Sequence, residues 1–250
     1  MQVFDFNIHP KLKKGHFSKS FYFKEENNLL GDLCVIGELN SVSKDFRIIN
    51  EIANILKEYF FENKKIDTET ALEIALQQAN EYLKTLSRKG NIRWLGNMSL
   101  AVIAIKDCQI YFSKNGSIKL ILLRNNEYHD IAEHLEEQTS GNNFFSNTAK
   151  GDLINNDNVF VLTKELYQFF ENYLAQRIIR IDNFQPKLVP KLIKEAKEEL
   201  KTYSGILFLI NSKGKKKKIV PKLPKLKIPK EILLIIGLLG ILIVSYLIFN

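Results

Sequence analysis

The sequence has few residues of the kinds that commonly signal a catalytic or metal centre. Its four histidines show no metal-ligand pairing, and neither Ser99 nor Ser117 has a recognisable base partner, so zinc sites and serine hydrolase triads have no sequence support. No P-loop and no G-x-G-x-x-G run is present. The two cysteines, Cys34 and Cys108, lie in apolar strand-like runs. We expect buried free thiols in a reducing compartment.

Acidic residues are missing from Asn211 to Lys230, a stretch that contains nine lysines. The whole chain has a formal charge of +8, but only 27 of the 36 basic and 27 of the 28 acidic residues precede this segment. The part before it is therefore neutral, and nucleic-acid binding is not indicated. A lysine near an anionic leaflet contributes about 1 kcal/mol of attraction. We predict that the segment contacts membrane lipid through Lys215, Lys216, Lys217, Lys218, Lys222, Lys225, Lys227 and Lys230.

Charge is also missing from Ile232 to Phe249, eighteen consecutive residues with apolar side chains on every helical face. A helix of this length spans about 27 Å, close to the roughly 30 Å hydrocarbon core of a bilayer. A buried core helix is the less favoured alternative, because no polar face is present. The flanking lysines predict a single-pass membrane protein with its N-terminal domain in the cytoplasm. The span is either a tail anchor or part of a longer chain.

Residues 1–210 are long enough for one sizeable domain, followed by a basic linker at 211–231 and the transmembrane helix at 232–249. Along this domain, stretches with the apolar pattern of strands are followed by stretches with the apolar period of helices, and the two kinds then repeat. Thr68 is the expected N-cap of the second helix, and the pairs KD, NG and NN predict an antiparallel meander. The predicted strands are 2–8, 17–24, 33–37, 98–105, 109–114, 117–124, 127–131, 159–163 and 205–210. The predicted helices run from a cap at Ser43 or Asp45 to about Phe61, and over roughly 69–88, 164–175 and 190–202. This order is typical of an α+β fold.

Four phrases occur in the order and spacing of a known family. They are Val35-Ile36-Gly37-Glu38-Leu39, Gly116 to Arg124, Asn156 to Leu166, and Thr202-Tyr203-Ser204-Gly205. With the order of elements, they resemble the PPM (type 2C) metal-dependent serine/threonine phosphatases over roughly residues 15–210. The resemblance implies a four-layer α-β-β-α sandwich of two antiparallel sheets flanked by helix pairs. In that family, aspartates hold two Mn²⁺ or Mg²⁺ ions that activate a water for attack on phosphorus.

The positions that match the family's metal ligands carry no carboxylate. They hold Gly37, Ser117 and Lys164. The resemblance therefore implies a pseudophosphatase with no catalytic residues, no bound metal and no cofactor. The alternative is an active phosphatase with displaced ligands, for which Glu38, Asp157 and Glu165 are the candidates. If these three acids do not bind a metal, we expect Glu38 and Glu165 to be solvated and Asp157 to form a turn.

Two functions from different classes follow from this pattern. The first is a membrane-anchored cytoplasmic module that binds or scaffolds an unknown protein partner in signalling, without catalysis. The second is a working Mn²⁺- or Mg²⁺-dependent protein phosphatase with migrated ligands. A weaker third is an unrelated α+β module whose role is positioning at the membrane.

Overall fold

Ten strands in the computed structural model form two antiparallel sheets of five strands each. The structure describes residues 2–8, 15–24, 29–40, 47–135, 143–181 and 184–212, all within the compact unit Met1–Gly214. The predicted basic linker and transmembrane helix lie outside the described residues, apart from Asn211 and Ser212. Among the described residues, no helix is long and apolar enough to cross a membrane.

The first sheet, sheet A, has the strand order β1-β10-β9-β6-β7. Its strands are β1 (Gln2–Ile8), β6 (Lys119–Arg124), β7 (Glu127–Asp130), β9 (Asn158–Leu162) and β10 (Gly205–Asn211). The second sheet, sheet B, has the order β2-β3-β4-β5-β8. Its strands are β2 (His16–Phe23), β3 (Asp32–Asn40), β4 (Met98–Lys106), β5 (Gln109–Asn115) and β8 (Ala149–Asp152). The predicted α+β class with two antiparallel sheets is confirmed.

Buried side chains form three separate apolar clusters, which define the layers. Alternate residues of β3 belong to different clusters. Leu33 and Val35 pack with the two helices that precede β4, whereas Cys34 and Ile36 pack with strands of sheet A. This alternation follows from the two-residue period of a strand. The third cluster lies between sheet A and the C-terminal helices. The order of layers is therefore helices, sheet B, sheet A, helices.

Two long helices cover the outer face of sheet B. They are α1 (Arg47–Glu62) and α2 (Thr68–Arg88). The cap of α2 is Asp67, whose carboxylate accepts hydrogen bonds from the Thr70 backbone N–H (3.0 Å) and the Thr70 hydroxyl (2.8 Å). The prediction that Thr68 caps this helix is wrong, because its hydroxyl donates instead to the Leu30 carbonyl at 2.9 Å.

Short helices cover the outer face of sheet A. The predicted helix from Lys164 continues to Ile179 because a π-helical turn joins two α-helical pieces. The predicted helix from residue 190 to 202 is broken at Ala196, where the backbone leaves helical geometry. The elements are α3 (Lys164–Phe169), the π turn (Phe170–Leu174), α4 (Ala175–Ile179), a 3₁₀ turn (Pro186–Leu188), α5 (Val189–Glu195) and α6 (Lys197–Leu200).

The predicted meander of four strands is wrong, because β5 and β6 belong to different sheets. Two true hairpins, β4–β5 and β6–β7, turn at residue pairs with positive φ, namely Asp107-Cys108 and Asn125-Asn126. Between them, the Asn-Gly pair carries the chain from sheet B to sheet A, with Gly116 at φ +83°. A turn of Asn-Gly chemistry therefore does not by itself specify a hairpin.

One additional strand and the exposure of one cysteine differ from the sequence-based expectations. The stretch 132–152 contains a strand, β8, that its polar composition did not indicate. Of the two free cysteines, Cys34 is buried and Cys108 is half-buried in the β4–β5 turn. Burial raises the pKa of the Cys34 thiol, which keeps it protonated and unreactive at neutral pH.

Candidate functional site

One end of the sandwich brings together the phrases that resemble a phosphatase site. Antiparallel pairing places Glu38, near the end of β3, opposite Ser99, near the start of β4. It also places the start of β6 beside the end of β9, through the pair Lys119 and Leu162. Ser117 lies two residues before β6, and Lys164 lies two residues after β9. We call this the cavity end, and the opposite end the Arg124 end.

Glu38, and not Gly37, looks into the space between the two sheets at the cavity end. Cys34 and Ile36 occupy that face of β3, and Glu38 follows them with the two-residue period of the strand. A Cβ atom on Gly37 would lie 2.5 Å from Leu100 Cδ2 and 3.0 Å from Ile49 Cγ2. Position 37 therefore faces helix α1, and its packing leaves no room for a side chain. The interpretation of Glu38 as a solvated residue is wrong, since it is only 2% exposed.

Three polar side chains form a hydrogen-bonded chain at this position. The Ser117 hydroxyl donates to Glu38 Oε1 at 2.7 Å. Ser99 Oγ lies 3.1 Å from Ser117 Oγ and accepts the Ser117 backbone N–H at 3.1 Å. Because Ser117 gives its proton to the carboxylate, Ser99 is the donor to Ser117. This series of hydrogen bonds holds the buried Glu38 carboxylate through hydroxyl groups and not through a cation.

The crossing turn between the sheets is what brings Ser117 to Glu38. Gly116 adopts a positive φ, and a Cβ atom there would lie 2.4 Å from Ser99 Oγ. Any other residue would therefore collide with the serine and be strained in the backbone. The buried Lys114 ammonium donates to the Gly116 carbonyl at 3.3 Å and supports the same turn.

Ser18 lies beside this chain on the edge strand β2. It pairs across the sheet with Glu38, so both side chains point to the same face. Ser18 is 4% exposed, and its buried hydroxyl has no hydrogen-bond partner among the described residues. The cavity end thus contains more polar groups than its own hydrogen bonds satisfy.

Lys164 and Glu165 begin helix α3 at the same end of sheet A. Lys164 is exposed, whereas Glu165 accepts hydrogen bonds from the backbone N–H (2.9 Å) and hydroxyl (3.0 Å) of Ser204. Glu165 therefore ties α3 to the segment before β10. Gly205 is needed in that segment because a Cβ atom there would lie 2.0 Å from Thr163 Oγ1.

Asp157 lies at the Arg124 end, at the other end of β9 from Lys164. It is 2% exposed and binds Arg124 through two contacts, Nε at 3.1 Å and Nη2 at 2.6 Å. Its carboxylate also accepts the Ile154 N–H at 2.7 Å. The hydrogen bonds to Asp157 raise the pKa of Arg124 further. Of the three candidate acids, only Glu38 and Glu165 therefore lie at the cavity end.

A cavity of about 1030 Å³ opens at the cavity end and runs alongside the C-terminal turns of α2. Ser99, Ser117 and Lys164 line it, together with residues that the sequence did not single out for a site. The latter include Lys84, Arg88, Leu95, Asn97, Asn115 and Phe144. These residues come from separate elements, so only the tertiary arrangement brings them together. The buried Trp94 also lines this cavity.

The residues at these positions do not fit a pair of divalent cations. Hard cations such as Mn²⁺ and Mg²⁺ take several oxygen ligands each, mostly carboxylates. Here the matched positions supply a glycine, a hydroxyl and an ammonium group, and the inward-facing carboxylate of Glu38 is hydrogen-bonded to Ser117. Among the described residues, no group of three or more His, Cys, Asp or Glu side chains could hold a metal.

Comparison with solved structures identifies the fold. The chain is similar to a bacterial serine phosphatase (TM-score 0.62, 10% identity, 86% of this chain and 98% of that one). It is also similar to the Streptococcus agalactiae (S. agalactiae) serine/threonine phosphatase (TM-score 0.56, 13% identity, 84% and 98%). A third neighbour is the PP2C phosphatase domain, with a fragment of the regulatory domain, of the cell fate determinant SpoIIE from Bacillus subtilis (TM-score 0.58, 14% identity, 86% and 62%). No family model and no curated protein matches the sequence.

Proposed function

Residues within 2–212 have the fold of the PPM-type (PP2C) serine/threonine phosphatases, and we propose that the chain is a non-catalytic binding module of that fold. The observation that carries the proposal is the make-up of the cavity end. Ser117 and Lys164 line the cavity at positions that match the family's metal ligands, and the buried Glu38 carboxylate is hydrogen-bonded to Ser117. An ammonium group at a ligand position repels divalent cations, whereas a ligand carboxylate attracts them.

The test is phosphate hydrolysis by the full-length chain, purified in detergent and supplied with Mn²⁺. We expect no release of p-nitrophenol from p-nitrophenyl phosphate, and no phosphate from a phosphoserine peptide, above the rate without protein. A bacterial PP2C phosphatase assayed in parallel shows that the conditions support turnover. Mn²⁺-dependent hydrolysis by the parent chain that is lost in Glu38→Ala would contradict the proposal.

The alternative of an active phosphatase with displaced ligands is favoured by one observation. Glu38 faces the space between the sheets, as a metal-bridging carboxylate of this fold must. Under this alternative, Glu38→Gln abolishes hydrolysis, while Asp157→Asn at the other end acts only through stability. The same assay therefore separates the two functions.

We further propose that the module is held at a membrane by residues 232–249, with residues 1–210 in the cytoplasm. The uncharged eighteen-residue run and the lysines before it support this proposal. The full-length chain should stay with membranes after alkaline carbonate extraction, whereas a chain ending at Ser212 should be released. Recovery of the full-length chain in the soluble fraction would overturn the anchor. Membrane lipid and an unidentified protein are the partners that this placement suggests.

A further inference from the structure

The cavity at the cavity end has the size of a small-molecule site. Its volume of about 1030 Å³ lies just above the roughly 300–1,000 Å³ typical of ligand pockets. It is bounded by helix α2, the turn before β4, the crossing turn at Gly116, residues 143–144 and the start of α3. A cavity shared by several separate parts of the chain is a built feature of the fold, and its lining indicates the chemistry of its ligand.

The charged groups that line the cavity are all cations. Lys84, Arg88 and Lys164 line it, and none of its described lining residues is acidic. The ammonium group of Lys84 lies 2.7 Å from Glu81 Oε1, so much of its charge is compensated. Arg88 and Lys164 are exposed and belong to different helices. The buried Glu38 carboxylate is not among the described lining residues and is hydrogen-bonded to Ser117. The lining therefore favours an anion that is large enough to contact both Arg88 and Lys164.

The rest of the wall is apolar and aromatic. Leu95 is 48% exposed, so its apolar side chain is accessible to a ligand. The Phe144 ring is half-buried and lies edge-on to the buried Trp94, with centroids 5.8 Å apart. Asn97 uses its amide N–H groups on the Arg93 and Leu95 carbonyls, and Asn115 donates to the Phe144 carbonyl at 2.8 Å. Their side-chain oxygens remain as acceptors for N–H groups of a ligand.

We propose that this cavity binds a nucleotide. Arg88 and Lys164 neutralise the phosphate groups, and the wall formed by Leu95 and Phe144 takes the base. An inorganic anion would leave that wall exposed to water, and an uncharged aromatic molecule would leave the two cations unpaired. The site uses neither a P-loop nor a G-x-G-x-x-G turn. The inference rests on the proposed function, because it requires this end of the fold to bind phosphate without hydrolysing it.

Trp94 provides the readout, because it is the only tryptophan in the chain and lines the cavity. We titrate ATP into the full-length chain in detergent and EDTA and follow Trp94 fluorescence, with calorimetry as a second measurement. EDTA prevents any metal from bridging the phosphates. We expect a saturable change, with about tenfold weaker binding in Lys164→Ala and in Arg88→Ala, since each loses a charge-assisted hydrogen bond.

Lys191→Ala is the matched control, because it removes an exposed lysine from α5, which packs on the far face of sheet A. We expect its affinity for ATP to be unchanged. Equal loss in all three variants would mean that ATP binds only through the overall positive charge, and would overturn the site. Near-ultraviolet circular dichroism of each variant shows whether it is folded.

A second ligand tests the phosphate and base parts of the proposal separately. Inorganic tripolyphosphate should bind at least about tenfold more weakly than ATP, because it cannot use the apolar wall. Tripolyphosphate binding as tight as that of ATP would overturn the assignment of the base to Leu95 and Phe144. Absence of a saturable response to ATP would overturn the nucleotide site. That result leaves the hydrolysis assay unaffected, so failure of this inference and failure of the proposed function are distinguishable.

Discussion

At the Arg124 end, a buried carboxylate binds a guanidinium group, whereas at the cavity end a buried carboxylate accepts a hydrogen bond from a hydroxyl group. Asp157 is neutralised by Arg124 and also accepts a backbone N–H. Glu38 is held by Ser117, which Ser99 supports, and the nearby Ser18 hydroxyl has no partner among the described residues. A buried charge with a full set of partners contributes to structure.

The polar groups at the two ends of the fold thus have different roles. The Arg124 end closes the sheets, because Arg124 also donates to the Asp152 carbonyl at 2.8 Å and joins two strands across the sandwich. The cavity end leaves a basic opening lined by Lys164 and Arg88. Substitutions at the two ends should therefore differ in what they change, stability at one end and binding at the other.

Breaking the ion pair at the Arg124 end should have the largest effect. Arg124→Ala leaves the Asp157 carboxylate buried without its cation, which costs about 3 kcal/mol of unfolding free energy. Urea denaturation followed by Trp94 fluorescence measures the loss. The control is Arg93→Ala, an exposed arginine on the turn before β4, which should change stability by less than about 0.5 kcal/mol. Equal effects of the two substitutions would contradict a structural role for the pair.

Removing the hydroxyl that holds Glu38 should have the next largest effect. Ser117→Ala leaves a carboxylate that is 2% exposed without its donor, and should cost about 2 kcal/mol. Glu38→Gln keeps an acceptor for Ser117 while removing the charge, so it should cost less than Ser117→Ala. A reversed order in urea denaturation would mean that the charge of Glu38 is itself stabilising.

The helix cap at the Arg124 end should have a smaller effect. Asp67→Ala removes the acceptor of two hydrogen bonds from Thr70 and should cost about 1 kcal/mol. Those hydrogen bonds lower the pKa of Asp67 in the folded state. Its contribution is therefore present above the unfolded pKa of about 3.9 and is lost as pH falls through the lower folded pKa.

The pH dependence gives a check on this cap. The difference in stability between the parent chain and Asp67→Ala should be constant near neutral pH and should shrink in acid. Asp67→Asn retains a capping oxygen without a titrating group and should recover most of the lost stability. A difference that grows as pH falls would contradict the assignment.

Substitutions of the cavity cations should have the smallest effect on stability. Lys164→Ala and Arg88→Ala remove exposed side chains and should each change the unfolding free energy by less than about 0.5 kcal/mol. Thermal unfolding by circular dichroism measures this. A loss comparable to that of Arg124→Ala would show that both ends serve stability and would remove the contrast between them.

Much of the fold could be predicted from the sequence because the apolar periods are regular. Two-residue alternation, or a short continuous apolar run bounded by turn residues, located nine of the ten described strands, and helical periodicity located α1 and α2. The missed strand, β8, is four residues long and has no buried side chain, so it carries no periodic signal. The meander was wrong because hairpin chemistry at Asn115-Gly116 specifies a tight turn without specifying which sheet the next strand joins.

The candidate site could be predicted only in part. The resemblance placed Ser117 and Lys164 at one end of the fold, and both line the cavity. It matched Gly37, which faces α1, whereas Glu38 is the residue of this part of β3 that faces the space between the sheets, and aligned letters do not reveal which face of a strand a side chain occupies. Arg88 and Leu95 carry no local signal, since their role depends on the meeting of α2 with the ends of β4 and β5.

The pairing of the first and last strands has a consequence for how the domain is made. In sheet A, β1 pairs with β10 from Gln2 and Asn211 to Ile8 and Gly205, over a separation of about two hundred residues. Contacts this distant in sequence are slow to form, because a long loop must close before they are made. During synthesis, β1 must wait, unpaired on that edge, until nearly all of the domain has been translated. We therefore expect residues 2–8 to be the segment most exposed to chaperones and to edge-to-edge aggregation while the chain is being made.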